Sequence, residues 1–143
     1  MEKIKITFLG TGNAVPTKNR NHTAILLNYK NDYILIDCGE GIQRQFRLAE
    51  ISPAKLTKIL ITHWHGDHVL GLPGLFQTLA MSDYSKNLEV YGPKKTSYYL
   101  SLMQKLYNFK IKIMEKEINS GKFFENEEYY LEASEMSHGT PAL

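Results

Sequence analysis

The order of apolar patterns along the chain predicts an α/β protein built from a mixed β-sheet with flanking helices. The first third of the sequence shows strand-like alternation and a hairpin, and strand-like and helical segments alternate after it. No apolar run approaches the roughly 20 residues that a membrane-spanning helix needs. We therefore expect a single soluble domain over residues 1–143.

The strand predictions begin at residues 3–9, where apolar and polar side chains alternate with a period of two. Residues 24–28 and 33–36 are apolar runs separated by a polar stretch at 30–32, which is typical of a hairpin. A short buried strand at 58–62 leads directly into a group of histidines. The remaining predicted strands cover residues 88–91, 111–118 and 129–136.

Helices are predicted where apolar residues recur every three or four positions. Within residues 40–50, the side chains of Ile42, Phe46 and Ala49 fall on one helical face, as expected for a helix that packs against a core. Two longer helical patterns cover residues 69–81 and 94–107.

Composition and charge place few limits on function. The net charge of +2 and the pI of about 8.5 permit a polyanionic partner but do not imply one. The single cysteine, Cys38, cannot form an internal disulfide and is expected to be a buried small residue. Because the N-terminus also lacks the apolar core of a signal peptide, we expect a cytoplasmic protein.

The most informative segment reads Ile-Leu-Ile-Thr-His-Trp-His-Gly-Asp-His over residues 59–68 and contains the potential metal ligands His63, His65, Asp67 and His68. Residues two apart in an extended chain project to the same side, so His63 and His65 can reach one ion. The chain then turns at Gly66, and the next two ligands leave at another angle, which suits two adjacent metals. An accidental histidine-rich tract is the alternative, but three of the 5 histidines lie here, far from either terminus.

This segment resembles the HxHxDH motif of the metallo-β-lactamase fold. The sequences Phe-Leu-Gly-Thr-Gly at 8–12 and Ile-Asp-Cys-Gly-Glu-Gly at 36–41 are similar to the first strand and the aspartate loop of that fold. The resemblance implies an αββα sandwich, of which residues 1–143 would be the N-terminal half, truncated at the C-terminus.

Within that fold the chain is most similar to ribonuclease Z. Residues 16–21 resemble its PxKxRN loop, which implies that Lys18 and Arg20 bind substrate near the 3′ end of tRNA. Residues 37–43 resemble its DxGEGTQ segment, in which Asp37 would orient the metal ligands by hydrogen bonding. The segment 137–141 resembles the next motif of the family and implies that His138 is a further ligand, whereas His22 is left with a structural role.

The resemblance implies hydrolysis of precursor tRNA with two zinc ions, which lower the pKa of water from 15.7 towards about 7. His63, His65 and His138 would bind one zinc, while Asp67 and His68 would bind the other. Asp67 would also orient the attacking water, and the products would be a 3′-hydroxyl on the tRNA and a 5′-phosphate on the trailer. Manganese or iron could replace zinc at such ligands.

Family members continue well beyond 143 residues, so we expect this polypeptide to be weakly active alone and to bind the second metal poorly. We also expect exposed apolar faces and sheet edges, which a homodimer would cover. Two alternatives remain open. The chain could hydrolyse a small ester, such as a cyclic phosphodiester or an arylsulfate, or it could be a non-catalytic metal-binding fragment.

Overall fold

A computed structural model describes residues 3–143, and a mixed sheet of six strands is its largest element. The strands are β1 (Lys5–Gly10), β2 (Ala24–Tyr29), β3 (Asp32–Ile36), β4 (Lys58–Leu60), β5 (Asn87–Gly92) and β6 (Lys112–Glu117). They lie side by side in sequence order, with β1 to β3 antiparallel and β3 to β6 parallel. The predicted strands of this sheet are all present, with ends that differ from the prediction by two residues or fewer.

Four α-helices connect or flank these strands: α1 (Ile42–Leu48), α2 (Gly66–Val69), α3 (Leu72–Met81) and α4 (Thr96–Tyr107). A 3-10 helix covers Pro53–Lys55. Because the parallel strands are added in one direction, right-handed crossovers place their helices on the same face of the sheet. The core lies between that face and the helices, and its buried side chains include Leu26, Leu35, Phe46, Ile59, Leu75, Phe76 and Val90.

The helix predicted over residues 69–81 is present as α3, but it begins three residues later, because the chain breaks at Gly71 after the short helix α2. The amide of Gly71 donates a hydrogen bond to the carbonyl of Cys38 at 2.9 Å instead of continuing a regular helix. A side chain at Gly71 would place its Cβ 2.2 Å from the carbonyl oxygen of Gly39. Glycine therefore lets the backbone of the break pack directly against the loop after β3.

A second, two-stranded sheet made of β7 (Gly121–Glu125) and β8 (Tyr130–Ala133) covers part of the opposite face. Strand β8 covers the middle of the predicted strand 129–136, whereas β7 was missed. A register shift between Lys122 and Phe124 breaks the alternation that marks a strand in sequence. This hairpin contacts the main sheet through the ring pair Tyr91–Phe123, whose centroids are 5.1 Å apart.

An ion pair between the buried Lys58 and the partly buried Asp32 also connects the hairpin to the main sheet. The ammonium of Lys58 lies 2.9 Å from a carboxylate oxygen of Asp32 and 4.3 Å from the centroid of the Phe124 ring. The hydroxyl of Tyr129 donates a 2.6 Å hydrogen bond to the other oxygen of Asp32. Burial opposes ionisation, but hydrogen bonds from Tyr129, Thr57 and Lys58 outweigh it and hold the pKa of Asp32 below its ordinary value.

Replacing Asp32 by asparagine is expected to lower the free energy of unfolding by about 2–4 kcal/mol, because Lys58 then keeps an unpaired buried charge. The double variant Asp32→Asn/Lys58→Met is the control and should recover most of the loss. In the unsubstituted chain, the contribution of Asp32 is complete above an aspartate's ordinary pKa, near 4, and is lost as pH falls through its lower folded-state pKa. Urea unfolding measures both effects, and equal stability of the single and double variants would contradict the prediction.

On the face of the sheet opposite the helices, the hairpin does not cover the part near β1 in the described structure. Ile4, Ile6 and Phe8 alternate along this edge and are exposed to 63%, 56% and 66%. Because β1 and β6 are the two outer strands of the sheet, the expected exposed edges and apolar face are both present. Among residues 3–143, no helix is long and apolar enough to cross a membrane.

Candidate metal centre

The candidate metal ligands of the histidine segment follow the carboxyl end of β4. The backbone stays joined to the sheet as far as Ile61, whose amide donates a 2.8 Å hydrogen bond to the carbonyl of Tyr91. His63 and His65 follow in the loop, and α2 begins at Gly66 and carries Asp67 and His68. The chain therefore turns between the two pairs of candidate ligands.

His138 comes from the far end of the chain and lies beside His63 and His65. One potential ligand atom from each of the three residues can be chosen so that all lie within 4.8 Å of one another. The Nε2 atom of His138 is 3.1 Å from the Nδ1 atom of His65. Two backbone contacts hold this segment in place: Met136 pairs with Ala142, and the amide of Leu143 donates to the carbonyl of Thr62 at 3.0 Å.

The three imidazoles fit a divalent ion of the zinc type. Tetrahedral zinc with bonds of 2.0–2.1 Å to nitrogen requires ligand atoms roughly 3.3 Å apart. The distance of 3.1 Å between His65 and His138 is close to that value, and the 4.8 Å limit leaves only small side-chain movements to complete the set. The fit rests on this donor chemistry and spacing.

Asp37 lies next to the histidine segment, and its carboxylate accepts hydrogen bonds from three donors. Its carboxylate accepts from the backbone amide of Thr62 at 2.8 Å, from the hydroxyl of Thr62 at 2.8 Å and from Nδ1 of His68 at 2.6 Å. The residue is buried and its backbone has a φ of 58°, in the left-handed region. A carboxylate in this position restrains both the strand end and the ring of His68.

These contacts also determine which ring nitrogens are available to a metal. The Thr62 hydroxyl donates its hydrogen to Asp37, so Nδ1 of His63, 3.0 Å away, must donate to the Thr62 oxygen. His68 likewise donates its Nδ1 hydrogen to Asp37. In its neutral form each ring then presents the Nε2 lone pair, and the Nε2 atom of His68 lies 3.4 Å from a carboxylate oxygen of Asp67.

The protonation of His63 and His68 is shifted in opposite directions. Burial lowers the pKa of His63, and a positive charge on His68 would lower it further, so the neutral ring that can bind a metal is favoured. The hydrogen bond to Asp37 raises the pKa of His68 and outweighs the effect of burial.

Trp64 anchors the histidine loop to α4, which sequence reasoning did not anticipate. Its indole nitrogen donates a 2.9 Å hydrogen bond to Thr96, and its ring packs on Tyr99 with centroids 4.8 Å apart. Because successive residues of an extended chain point in opposite directions, the residue between His63 and His65 must point away from the ligands and pack elsewhere. The contact of Trp64 away from the ligands could therefore have been predicted from this alternation.

The loop predicted to bind substrate is a short turn on the surface. The amide of Thr17 donates to the carbonyl of Arg20 at 3.0 Å, and Gly12 closes the base of the loop by donating to Asn21 at 2.7 Å. Lys18 and Arg20 are exposed, and within residues 3–143 neither forms a hydrogen bond from its side chain to the histidines. The loop is not part of the group of converging ligands.

Two further residues have buried side chains. Burial raises the pKa of the Cys38 thiol well above its ordinary value, so this residue is a poor nucleophile. His22 is also buried, and both its ring nitrogens lack a hydrogen-bond partner among residues 3–143. Neither belongs to the group of three histidines whose ligand atoms converge.

The mixed sheet, the helices on one face and the histidine loop at the end of a parallel strand define a protein of the metallo-β-lactamase fold, as predicted. A family model described as Anti-Pycsar protein Apyc1 matches residues 4–138, and the chain belongs to this family.

The predicted resemblance to ribonuclease Z is confirmed by curated relatives. Ribonuclease Z of Methanosarcina acetivorans is 40% identical over 98% of this chain and 47% of its own length. Ribonuclease Z of Thermococcus kodakarensis is 43% identical over 98% of this chain and 45% of its own length. The short form of human tRNase Z superposes with a TM-score of 0.86 at 28% identity, covering 99% of this chain and 62% of the human chain. The chain thus spans about half the length of the curated relatives that it matches and corresponds to their N-terminal half.

Proposed function

We propose that this chain provides the metal-binding part of a zinc-dependent endoribonuclease that removes the 3′ trailer from precursor tRNA. The observation that carries the proposal is the convergence of His63, His65 and His138 in a chain similar to Ribonuclease Z over nearly all its residues. The substrate class, tRNA, is inferred from the relatives, which are named Ribonuclease Z and tRNase Z. The metal is inferred from the three imidazole donors.

In this proposal the three histidines hold one zinc ion, and Asp67 with His68 holds a second. Zinc at these positions would lower the pKa of water and stabilise negative charge on the phosphate. Asp37 supports both groups, since it restrains His68 directly and His63 through Thr62. Manganese is the alternative metal at the same donors.

The residues of the chain would orient the reaction as follows. Asp67 accepts a hydrogen bond from the attacking water and directs its oxygen at the phosphorus atom. The new phosphorus–oxygen bond forms as the bond to the 3′ oxygen of the tRNA breaks. The water proton passes to solvent and the 3′ oxygen takes up a proton, which gives a 3′-hydroxyl and a 5′-phosphate.

Lys18 and Arg20 would contact the RNA backbone beside the centre, so their substitution tests the substrate. Lys18→Ala and Arg20→Ala are each expected to lower kcat/KM on precursor tRNA roughly 5- to 30-fold by removing a phosphate contact. Hydrolysis of a small phosphodiester should change less than about twofold. Single-turnover assays with the chain in excess over labelled precursor tRNA measure even a weak activity.

Lys112→Ala is the matched control, because Lys112 is exposed on β6 at the opposite edge of the sheet. Equal losses on both substrates, or no loss on precursor tRNA, would count against tRNA as the substrate.

A small phosphodiester is the second candidate substrate. The family that this chain matches is described as Anti-Pycsar protein Apyc1 and not as a ribonuclease. The match covers residues 4–138 of this chain, which include every proposed ligand. Good hydrolysis of a cyclic phosphodiester without cleavage of precursor tRNA would favour this candidate. A chain that binds zinc and cleaves neither substrate would instead be a metal-binding fragment.

Two other features belong to the proposal. A homodimer would cover the exposed apolar edge at Ile4, Ile6 and Phe8. A cytoplasmic location would match a precursor tRNA substrate.

A further inference from the structure

We propose that the surface loop at 17–21 and helix α1 together form one basic cleft that binds the RNA backbone, with Arg44 as a contact in addition to Lys18 and Arg20. This inference rests on the proposed function and extends its binding surface beyond the loop. The basic cleft is defined by three cationic side chains, those of Lys18, Arg20 and Arg44.

The three cations line a single cavity of about 400 Å³ between the end of β1 and the exposed side of α1. Gly10 and Thr11 form one wall, and Gln45 lies beside Arg44 on the other. Arg44 is 24 residues beyond Arg20 in the sequence, so only the fold brings it to the loop.

The relative position of the loop and the helix is fixed by a hydrogen bond from a loop side chain to the backbone just before the helix. The side-chain amide of Asn21 donates a 2.6 Å hydrogen bond to the carbonyl of Glu40, just before α1. Gly41 has a φ of 77°, and a Cβ there would lie 2.8 Å from the Asn21 side-chain oxygen. The loop therefore packs against the start of the helix at a position where only glycine leaves room.

The charges of the basic cleft are not neutralised by nearby acids. None of the ion pairs formed within residues 3–143 includes Lys18, Arg20 or Arg44. All three residues are exposed, which suits contacts along an extended polyanion better than capture of one small anion. An RNA backbone presents successive phosphates to these three side chains, and each contact between a cation and a phosphate releases counterions.

The cleft is connected to the metal centre through the loop at 37–41. The amide of Cys38 donates a 2.7 Å hydrogen bond to the carbonyl of His68, and the amide of Gly39 donates to Thr23 at 3.1 Å. This loop thus joins the base of the 17–21 loop to the helix that carries Asp67 and His68. RNA held in the basic cleft would therefore lie at the same end of the sheet as the proposed site of cleavage.

The salt dependence of RNA binding tests the role of Arg44. Fluorescence anisotropy would measure the Kd of the 143-residue chain for a labelled hairpin with a 3′ trailer, in EDTA, between 50 and 200 mM salt. EDTA removes any metal contribution and prevents cleavage. Arg44→Gln is expected to reduce the slope of log Kd against log salt by about 0.7–0.9, the value for one phosphate contact. Arg44→Lys should retain most of the slope.

Arg47→Gln is the matched control, because Arg47 is exposed on the same helix but does not line the cleft. Its slope should equal that of the unsubstituted chain. If the chain binds the hairpin and Arg44→Gln leaves the slope unchanged, the inference is overturned and the proposed function stands. If the unsubstituted chain does not bind the hairpin, the proposed function fails and the inference fails with it.

Discussion

Substitution of His138 by alanine is expected to lower the zinc affinity of the chain roughly 100- to 1,000-fold. Four-ligand structural zinc sites bind with about 10–16 kcal/mol, so each ligand accounts for roughly 3 kcal/mol. The effect should be this large because His138 closes the set formed with His63 and His65, where its Nε2 atom lies 3.1 Å from Nδ1 of His65.

A competition titration against a chromophoric zinc chelator measures the affinity of the His138→Ala variant. Ser137→Ala is the matched control, since Ser137 precedes His138 in the same exposed segment and is not among the converging ligands. Unfolding curves of the metal-free proteins should coincide, because an exposed side chain is removed in both variants. Unchanged zinc affinity in His138→Ala would show that this histidine is not a ligand.

The variants therefore test zinc binding and RNA binding separately. Loss of affinity in His138→Ala concerns the metal alone, whereas the Lys18, Arg20 and Arg44 variants concern the nucleic acid. A chain that binds zinc through three histidines and does not bind RNA would fit the small-phosphodiester alternative. Binding measurements thus separate the ribonuclease proposal from the other two candidates, whereas hydrolysis of a cyclic phosphodiester is needed to separate a small-phosphodiester hydrolase from a metal-binding fragment.

The positions of the histidines in the fold could be predicted because they depend on local rules. A buried strand ends before them, residues two apart point to one side, and a glycine begins the next helix. His138 depended on more than local pattern, since an isolated histidine carries no signal by itself. Only its resemblance to a known motif indicated that the chain would bring it 73 residues back to His65.

The features that the sequence did not predict depend on contacts between distant segments. The break at Gly71 results from packing against the 37–41 loop, and the missed strand β7 contains a register shift that breaks its alternation. The helical pattern shows only that Arg44 lies off the apolar face of α1, because the loop that makes a cleft with it lies on another element. A periodic pattern shows which face of an element is buried but not which element lies against it.

Asp37 connects the two proposed metal positions, and Asp37→Asn should affect both the ligands and the fold. Asparagine can still accept from the amide of Thr62, but its NH₂ group cannot accept the Nδ1 hydrogen of His68. His68 would then favour the tautomer with hydrogen on Nε2, which removes the lone pair facing Asp67. The free energy of unfolding should fall by about 2–4 kcal/mol because buried donors lose their acceptor.

Nitrogen-15 NMR of the histidine side chains reports the tautomer of His68, and urea unfolding reports stability. Asp83→Asn is the matched control, because Asp83 is exposed and has a similar backbone φ of 51°, against 58° at Asp37. Any gain from placing asparagine in the left-handed region is then shared by both variants. A weakening of zinc binding by roughly 10- to 100-fold at the position next to Asp67 is also expected, as for other residues that orient metal ligands. If His68 keeps hydrogen on Nδ1 in Asp37→Asn, then a contact other than Asp37 sets its tautomer.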